Sequence, residues 1–177
     1  MMQLNTDKII FTGPVGAGKT TAIASISDTP PVNTDVNTSG EERRIKESTT
    51  VAMDYSYIEM EDGTKVHLYG TPGQSRFDFM WKILTNGGLG LVLLINNDHP
   101  EPIKQMEFYL DSFSDFINKT GVVIGITRTS IKNNASIEDY QTKLFERNQI
   151  FPVFEVDSRS EDDIKILIQA LLAILAN

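Results

Sequence analysis

Two stretches of the chain, GLVLLIN at 90–96 and GVVIGIT at 121–127, are apolar without a break. A strand with one wet face alternates, whereas an uninterrupted apolar run belongs to a strand covered by helices on both faces. A shorter run over 151–156 is of the same kind, and KIIFT at 8–12 halts at Gly13 as a buried strand entering a tight loop does. Residues 51–60 and 64–69 read as two further strands joined by Glu61-Asp62-Gly63. Asp-Gly supplies the positive φ angles of a tight hairpin, so this pair is antiparallel. Helical spacing fills 19–27, 77–84, 101–118 and 137–148. The last helix starts after Ser160, whose hydroxyl caps the amide of Asp163 while that carboxylate reaches back; its core face is Ile164, Leu167, Ile168, Leu171, Leu172 and Leu175. The alternation predicts an α/β fold, a mostly parallel sheet with helices on both faces. Residues 28–46, rich in Pro, Asn, Thr and Ser, form a connection too long to be a plain turn, and such connections are usually either functional or disordered. With no repeat or linker, and 40% apolar residues in a chain of 177, a single domain over 1–177 is expected.

A net charge of −8 and an isoelectric point near 4.7 oppose a nucleic-acid role, because phosphate backbones need clustered Lys and Arg. The basic residues of Glu41-Glu42-Arg43-Arg44-Ile45-Lys46 are diluted by their own acids and read as a solvated loop. The absence of cysteine removes disulfides, thiolate metal sites and thiol lipidation. Residues 1–8 lack a signal-peptide pattern and no apolar run reaches about 18 residues, so a cytoplasmic protein with no integral membrane span is expected.

GPVGAGKT at 13–20 fits G-x-x-x-x-G-K-[ST], placed as that motif requires between a strand and a helix. The backbone of Gly13, Val15, Gly16, Ala17 and Gly18 turns its N–H groups onto the phosphates of a nucleotide, and the helix N-terminus adds its positive end. Lys19 reaches the β- and γ-phosphates, Thr20 supplies a hydroxyl to Mg²⁺, and Thr21 follows in the same binding set. The motif leaves open which base is bound and whether hydrolysis occurs, since ATP kinases and GTPases share it.

A phosphate loop, a long loop ending in Ser48-Thr49-Thr50, an antiparallel strand pair and then Pro72-Gly73-Gln74 resemble, in that order, the Ras-like small GTPases over nearly the whole chain. Residues 69–81, YGTPGQSRFDFMW, are most similar to the bacterial members of gliding-motility and conservon type, where Thr-Pro-Gly-Gln or Val-Pro-Gly-Gln replaces Asp-x-x-Gly-Gln. The resemblance implies a P-loop NTPase fold with a Ras-like six-stranded, mostly parallel sheet, one antiparallel edge strand and helices on both faces. It also implies two switch loops, 28–50 and 70–84. In the first, Thr50 is the Mg²⁺ ligand expected beside a γ-phosphate, with Thr49 as the alternate; the plain reading is that these threonines only start a strand. In the second, the backbone N–H of Gly73 meets the γ-phosphate and Gln74 orients the attacking water, against the plain reading of Gln74 as a polar turn residue. Phe77, Phe79, Met80 and Trp81 divide between core and a partner surface.

Three positions depart from the family pattern. Gly70 replaces a carboxylate that ordinarily touches Mg²⁺ through water, so weaker Mg²⁺ binding is expected; Asp54 on the neighbouring strand is not assumed to substitute. Val15 stands where relatives usually carry glycine and crowds both the γ-phosphate and an incoming arginine, which implies slow turnover. Arg43, Arg44 and Arg76 are candidates for an internal arginine finger, each reading first as a solvated charge. The guanine motif Asn/Thr-Lys-x-Asp aligns with Thr127-Arg128-Thr129-Ser130. The arginine stem can stack along a base, but a serine is no equal acceptor for the two N–H donors of guanine. Ser-Ala-Lys of relatives aligns with Asp157-Ser158-Arg159, which puts the Ser158 N–H at guanine O6, Arg159 beside it and Asp157 bracing the loop.

What the resemblance implies is a GTP-binding molecular switch: GTP and GDP as ligands, Mg²⁺ as cofactor, slow hydrolysis stimulated by a roadblock-type regulator or other effector, and a role in motility, polarity or surface signalling. Two other readings stand beside it. One is a nucleotide-binding interaction protein with little turnover, motivated by Val15, Gly70 and Ser130. The other is a P-loop ATP-dependent kinase, which needs arginines gathered in a lid where this chain scatters six. His67 and His99 have no carboxylate pair or His-x-x-x-His spacing near them, so metal and triad chemistry is not assigned to them.

Overall fold

A computed structural model describes residues 7–33, 53–73, 78–130 and 134–177. The strands are β1 (Asp7–Thr12), β2 (Val32–Asn33), β3 (Asp54–Glu59), β4 (Lys65–Gly70), β5 (Gly90–Asn96), β6 (Val122–Thr127) and β7 (Val153–Glu155). Among the described residues they form one sheet in the order β2-β3-β4-β1-β5-β6-β7. β1, β4, β5, β6 and β7 pair in parallel, and β3 runs against β4 on one side and β2 on the other. The six expected strands are therefore present with β3 as the antiparallel member, and the two-residue β2 adds a short outermost strand. Both expected hairpin strands lie across from each other, Asp54 against Gly70 and Glu59 against Lys65. At the turn Gly63 has φ +83° and Met60 N donates to Thr64 O at 2.8 Å, as Asp-Gly requires.

Helices α1 (Lys19–Ile26), α2 (Asp78–Thr85), α3 (Pro102–Ser112), α4 (Ser114–Lys119), α5 (Ile137–Glu146) and α6 (Glu161–Leu175) cover the two faces. The period of two sorts the apolar strands between them. Phe11, Val92 and Leu94 meet Ala22 and Ile23 of α1 and Ile164, Leu167 and Leu171 of α6. Ile10, Leu91, Leu93 and Ile95 meet Trp81, Met106, Tyr109, Leu110, Tyr140 and Leu144 on the other side. Each fully buried side chain of this size contributes about 1.5–3 kcal/mol, enough for three of them to hold α6 against the sheet.

Several boundaries differ from expectation. The helix expected over 101–118 is two, broken at Phe113, whose φ −102° and ψ 11° leave the helical region and let its ring stack 5.0 Å from Trp81. Leu172 is exposed and Leu175 only half buried, so the buried stripe of α6 ends at Leu171. Ser160 does cap Asp163 N at 3.2 Å, but the Asp163 carboxylate accepts from Asp157 N at 2.8 Å instead of reaching back. The reciprocal capping box belongs to α5: Ser136 Oγ accepts from Asp139 N, and Asp139 Oδ2 accepts from Ser136 N at 2.7 Å. These helices and strands bring the loops after β1, β4, β5, β6 and β7 to one edge of the sheet, the carboxyl edge at which open parallel sheets bind ligands.

Candidate functional site

The loop after β1 opens α1 with Gly18 at the N-cap in the left-handed conformation, φ 96°. Among the described residues no side chain caps that terminus and no acid stands in its first turn, so its N–H groups face an anion site. Within the loop Ala17 N donates to Pro14 O at 3.2 Å. Lys19 folds back along it, donating from Nζ to Gly13 O at 2.7 Å and Pro14 O at 2.8 Å. With the side chain only 8% exposed, burial lowers the ammonium to about 8, while the Asp54 carboxylate pulls the other way. Val15 is 68% exposed at the mouth of this loop.

Beside Lys19, Thr20 Oγ1 donates to Asp54 Oδ2 at 2.5 Å. Asp54 is buried, and its other oxygen, Oδ1, is a buried acceptor with no hydrogen-bond partner among the described residues. A methyl group on Gly70 would stand 3.1 Å from Asp54 Cβ, 3.2 Å from Asp54 Oδ2 and 3.1 Å from Ile23 Cδ1. The space that a side chain at 70 would take is filled by the carboxylate from across the hairpin. Asp54, not assumed to substitute on the sequence alone, thus stands with its carboxylate where a side chain at 70 would lie. Counting outward from the Asp62-Gly63 turn would have found the pair in the sequence, since the hairpin places 54 opposite 70. Among the described residues no group of three or more His, Cys, Asp or Glu forms a metal cage. A hydroxyl and one carboxylate with a spare oxygen suit instead a hard cation whose remaining ligands are phosphate and water.

The strand β4 delivers the next loop. Thr71, itself buried, shares a 2.7 Å hydrogen bond with the Thr12 hydroxyl and donates from N to Phe11 O at 2.9 Å. Trp81 Nε1 donates to Pro72 O at 3.1 Å, and Tyr109 Oη donates to Gly73 O at 3.1 Å. Trp81 is therefore a buried anchor, Phe79 is 56% exposed and Met80 is half buried. Thr49, Thr50, Gln74, Phe77, Arg43, Arg44 and Arg76 lie outside the described residues.

A cleft of about 610 Å³ continues from the loop, lined by Gly18, Thr21, Thr127, Arg128, Ser158 and Arg159 among others. Thr127 Oγ1 donates to Ala17 O and to Ile95 O, both at 3.1 Å, and so ties the phosphate loop to β5. Arg128 adopts a left-handed φ of 58° at the rim, and Ser130 is exposed beyond it. Ser158 presses on Gly18, where a methyl group would come within 2.6 Å of its hydroxyl. Asp157 grips Arg159 by two oxygens, at 2.9 Å to Nε and 2.7 Å to Nη2, and this guanidinium holds its carboxyl down to about 2. Behind Thr127, whose carbonyl accepts from Asn97 N at 3.0 Å, Tyr140 Oη donates to Asn97 Oδ1 at 2.6 Å and Asn97 Nδ2 donates to Ala135 O at 3.0 Å. Of the residues expected at phosphates, metal and base, Ala17, Gly18, Thr21, Thr127, Arg128, Ser158 and Arg159 line this cleft, with Lys19 and Thr20 in the adjoining turn at the start of α1. From outside the motifs, Asp54 meets Thr20, while Tyr109 and Trp81 hold the loop after β4, Tyr109 lining a separate cleft with Pro14 and Gly73.

No family model matches the chain. A 79-residue stretch is 39% identical to an uncharacterised protein of Methanocaldococcus jannaschii, covering 41% of the chain and 51% of that protein, so the match spans about half the relative's length. Two similarities run further. The mutual gliding-motility protein MglA of Myxococcus xanthus is 25% identical over 157 residues, 80% of the chain and 76% of the relative. The Ras-related protein Rab-1D of Dictyostelium discoideum is 24% identical over 162 residues, 89% of the chain and 74% of the relative.

Proposed function

For a chain that belongs to the Ras-like small GTPases, in fold and along most of the length of two relatives, we propose a guanine-nucleotide switch that binds GTP and GDP with Mg²⁺ and hydrolyses GTP slowly. The observation that carries this reading is the corner where Thr20 meets Asp54 beside the 13–20 loop, with Asp54 Oδ1 buried and unpartnered. An orphaned carboxylate oxygen next to a phosphate cradle fits a hydrated divalent cation. Thr20 would hold it directly and Asp54 through water, with Thr50 joining from the first switch loop. Bound there, Mg²⁺ spreads the charge that develops on the phosphoryl oxygens.

The chain's own residues supply the rest. Lys19, charged at neutral pH with its ammonium at about 8, fixes the phosphates, and the uncapped start of α1 directs its N–H groups to them. Gln74 orients the attacking water, while the exposed Val15 side chain at the mouth crowds that position and slows turnover. Thr127, Arg128, Ser158 and Arg159 frame the base. A protein partner, of roadblock type or another effector, completes the catalytic geometry and reads the state of the 28–50 and 70–84 loops. A role in motility rests on the name of the Myxococcus relative. Ser130 and Val15 favour a second reading, a nucleotide-dependent interaction protein that scarcely turns over.

Competition among GTP, GDP and ATP for nucleotide-free protein, with and without Mg²⁺, tests the proposal. Guanine preference that depends on Mg²⁺ is the expected result, followed by GTP hydrolysis that a partner accelerates. Equal binding of the two bases, or preference for ATP, would withdraw the guanine assignment; guanine binding without any turnover would favour the second reading.

A further inference from the structure

Gly73 lies unusually close to the phosphate loop. A methyl group on it would stand 2.6 Å from Val15 N, 3.0 Å from Pro14 C and 3.0 Å from Lys19 Nζ. Since the side of the Lys19 ammonium that faces Gly73 has no room for a methyl group, it has none for the larger phosphoryl group. The cleft on the other side of the loop, toward Gly18 and Thr21, stays open. Two donors from outside the loop hold this arrangement: Tyr109 Oη on Gly73 O and Trp81 Nε1 on Pro72 O, each at 3.1 Å.

Both donors are rigidly delivered. Tyr109 and Trp81 are each 3% exposed, their rings are 5.3 Å apart, and Trp81 stacks on Phe113 in turn. Burial also pushes the Tyr109 phenol well above its ordinary range, so it keeps its proton and remains a donor at every working pH. Next to the contact, a cleft of about 330 Å³ lined by Pro14, Gly73, Gln105, Phe108 and Tyr109 offers space for Gly73 to withdraw.

We propose that Tyr109, seconded by Trp81, is a positioning residue that sets the preference between nucleoside diphosphate and triphosphate by holding Pro72–Gly73 against the phosphate loop where a third phosphate would stand. The inference rests on the nucleotide-switch reading. In the held state the site accepts two phosphates; the triphosphate must first break the two hydrogen bonds to Pro72 O and Gly73 O. Its apparent affinity is lowered by the fraction of molecules that are held.

The test uses the full chain freed of nucleotide, with affinities measured for GDP and for a non-hydrolysable GTP analogue in Mg²⁺. Tyr109→Phe keeps the ring and its packing and removes one donor; Trp81→Phe removes the other. One hydrogen bond lost from the held state raises the triphosphate-to-diphosphate affinity ratio roughly threefold to tenfold, with the diphosphate affinity little changed. A structural role alone would lower both affinities in parallel. An unmoved ratio in both variants, or a parallel fall, overturns the inference and leaves the switch reading standing. Wild-type protein that binds neither nucleotide overturns that reading and the inference with it.

Discussion

The phosphate and base ends of the site each lack a carboxylate that the Ras-like pattern places there, and they differ in what stands instead. At the phosphate end, Gly70 lacks the side chain, and Asp54, directly across the hairpin, fills the vacated space with its own carboxylate. At the base end, Ser130 lacks it, and two of the three acids lining that cleft, all but Glu155 on β7, are already engaged: Asp157 by Arg159, and Asp163 by the backbone N–H of Asp157. The difference is one of backbone. Paired strands hold opposite residues about 5 Å apart on one face, so a group can change strands without leaving its place. A loop has no such partner, and a group lost from it is not restored by its neighbour.

The largest expected effect breaks the first half of that comparison. Asp54→Gly removes the carboxylate that accepts from the Thr20 hydroxyl and the spare oxygen beside it. The gain in nucleotide affinity from Mg²⁺ should fall by about 10–100-fold, as it does when a residue orienting a metal's ligands is lost. Gly70→Asp alone crowds Asp54 Cβ and Oδ2, at 3.1 and 3.2 Å, and should destabilise the fold by about 1–3 kcal/mol from overpacking, with like charges adding to it. Joining the two, Asp54→Gly with Gly70→Asp, moves the carboxylate back to the other strand and should recover most of the Mg²⁺ dependence. Magnesium titrations of nucleotide dissociation decide it: a double variant no better than Asp54→Gly would mean that the two positions are not interchangeable.

Lys19 sharpens the same end by its pH dependence. Its folded-state value, about 8, lies below the ordinary 10.5, so between these two the unfolded chain binds more protons than the folded one. Stability of the nucleotide-free protein from this group therefore rises with pH through that window. Binding phosphate has the opposite sign, because it favours the ammonium: affinity is full below pH 8 and declines as pH rises through it, roughly tenfold by pH 9. Denaturation midpoints and nucleotide titrations over the same buffers should diverge. Affinity and stability that both stay flat through this window would mean that Lys19 is charged throughout.

What could be read in advance follows the range of the forces involved. The 90–96 and 121–127 strands were legible because burial on both faces writes an unbroken apolar run, and the 13–20 loop because contiguous residues make one cradle. The break at Phe113 was hidden by its own packing. Met106, Tyr109, Leu110, Phe113 and Ile117 keep helical spacing straight through it and are all buried, so the pattern cannot show where one helix ends. β2 pairs through two residues, too few to carry a period. Tyr109 on Gly73 joins residues 36 apart through a single hydroxyl, and nothing local announces it.

The smallest expected effect tests the other half of the comparison, the base end. Guanine offers two adjacent N–H donors on its edge, adenine does not offer that pair, and a carboxylate accepts both where a serine hydroxyl accepts less well. Ser130→Asp places such a carboxylate at the exposed rim next to Arg128, in a cleft whose Asp157 is held ionised by Arg159 and engaged with it. Solvent at the rim keeps the gain near the low end for a paired base contact, about 1 kcal/mol, or roughly fivefold in the ratio of GTP to ATP affinity. The absolute GTP affinity should rise with the ratio, because the phosphate end is untouched by the change. If the ratio does not move, the guanine edge lies elsewhere in the cleft, and the loss at Ser130 was compensated after all by groups that meet it only when nucleotide is bound.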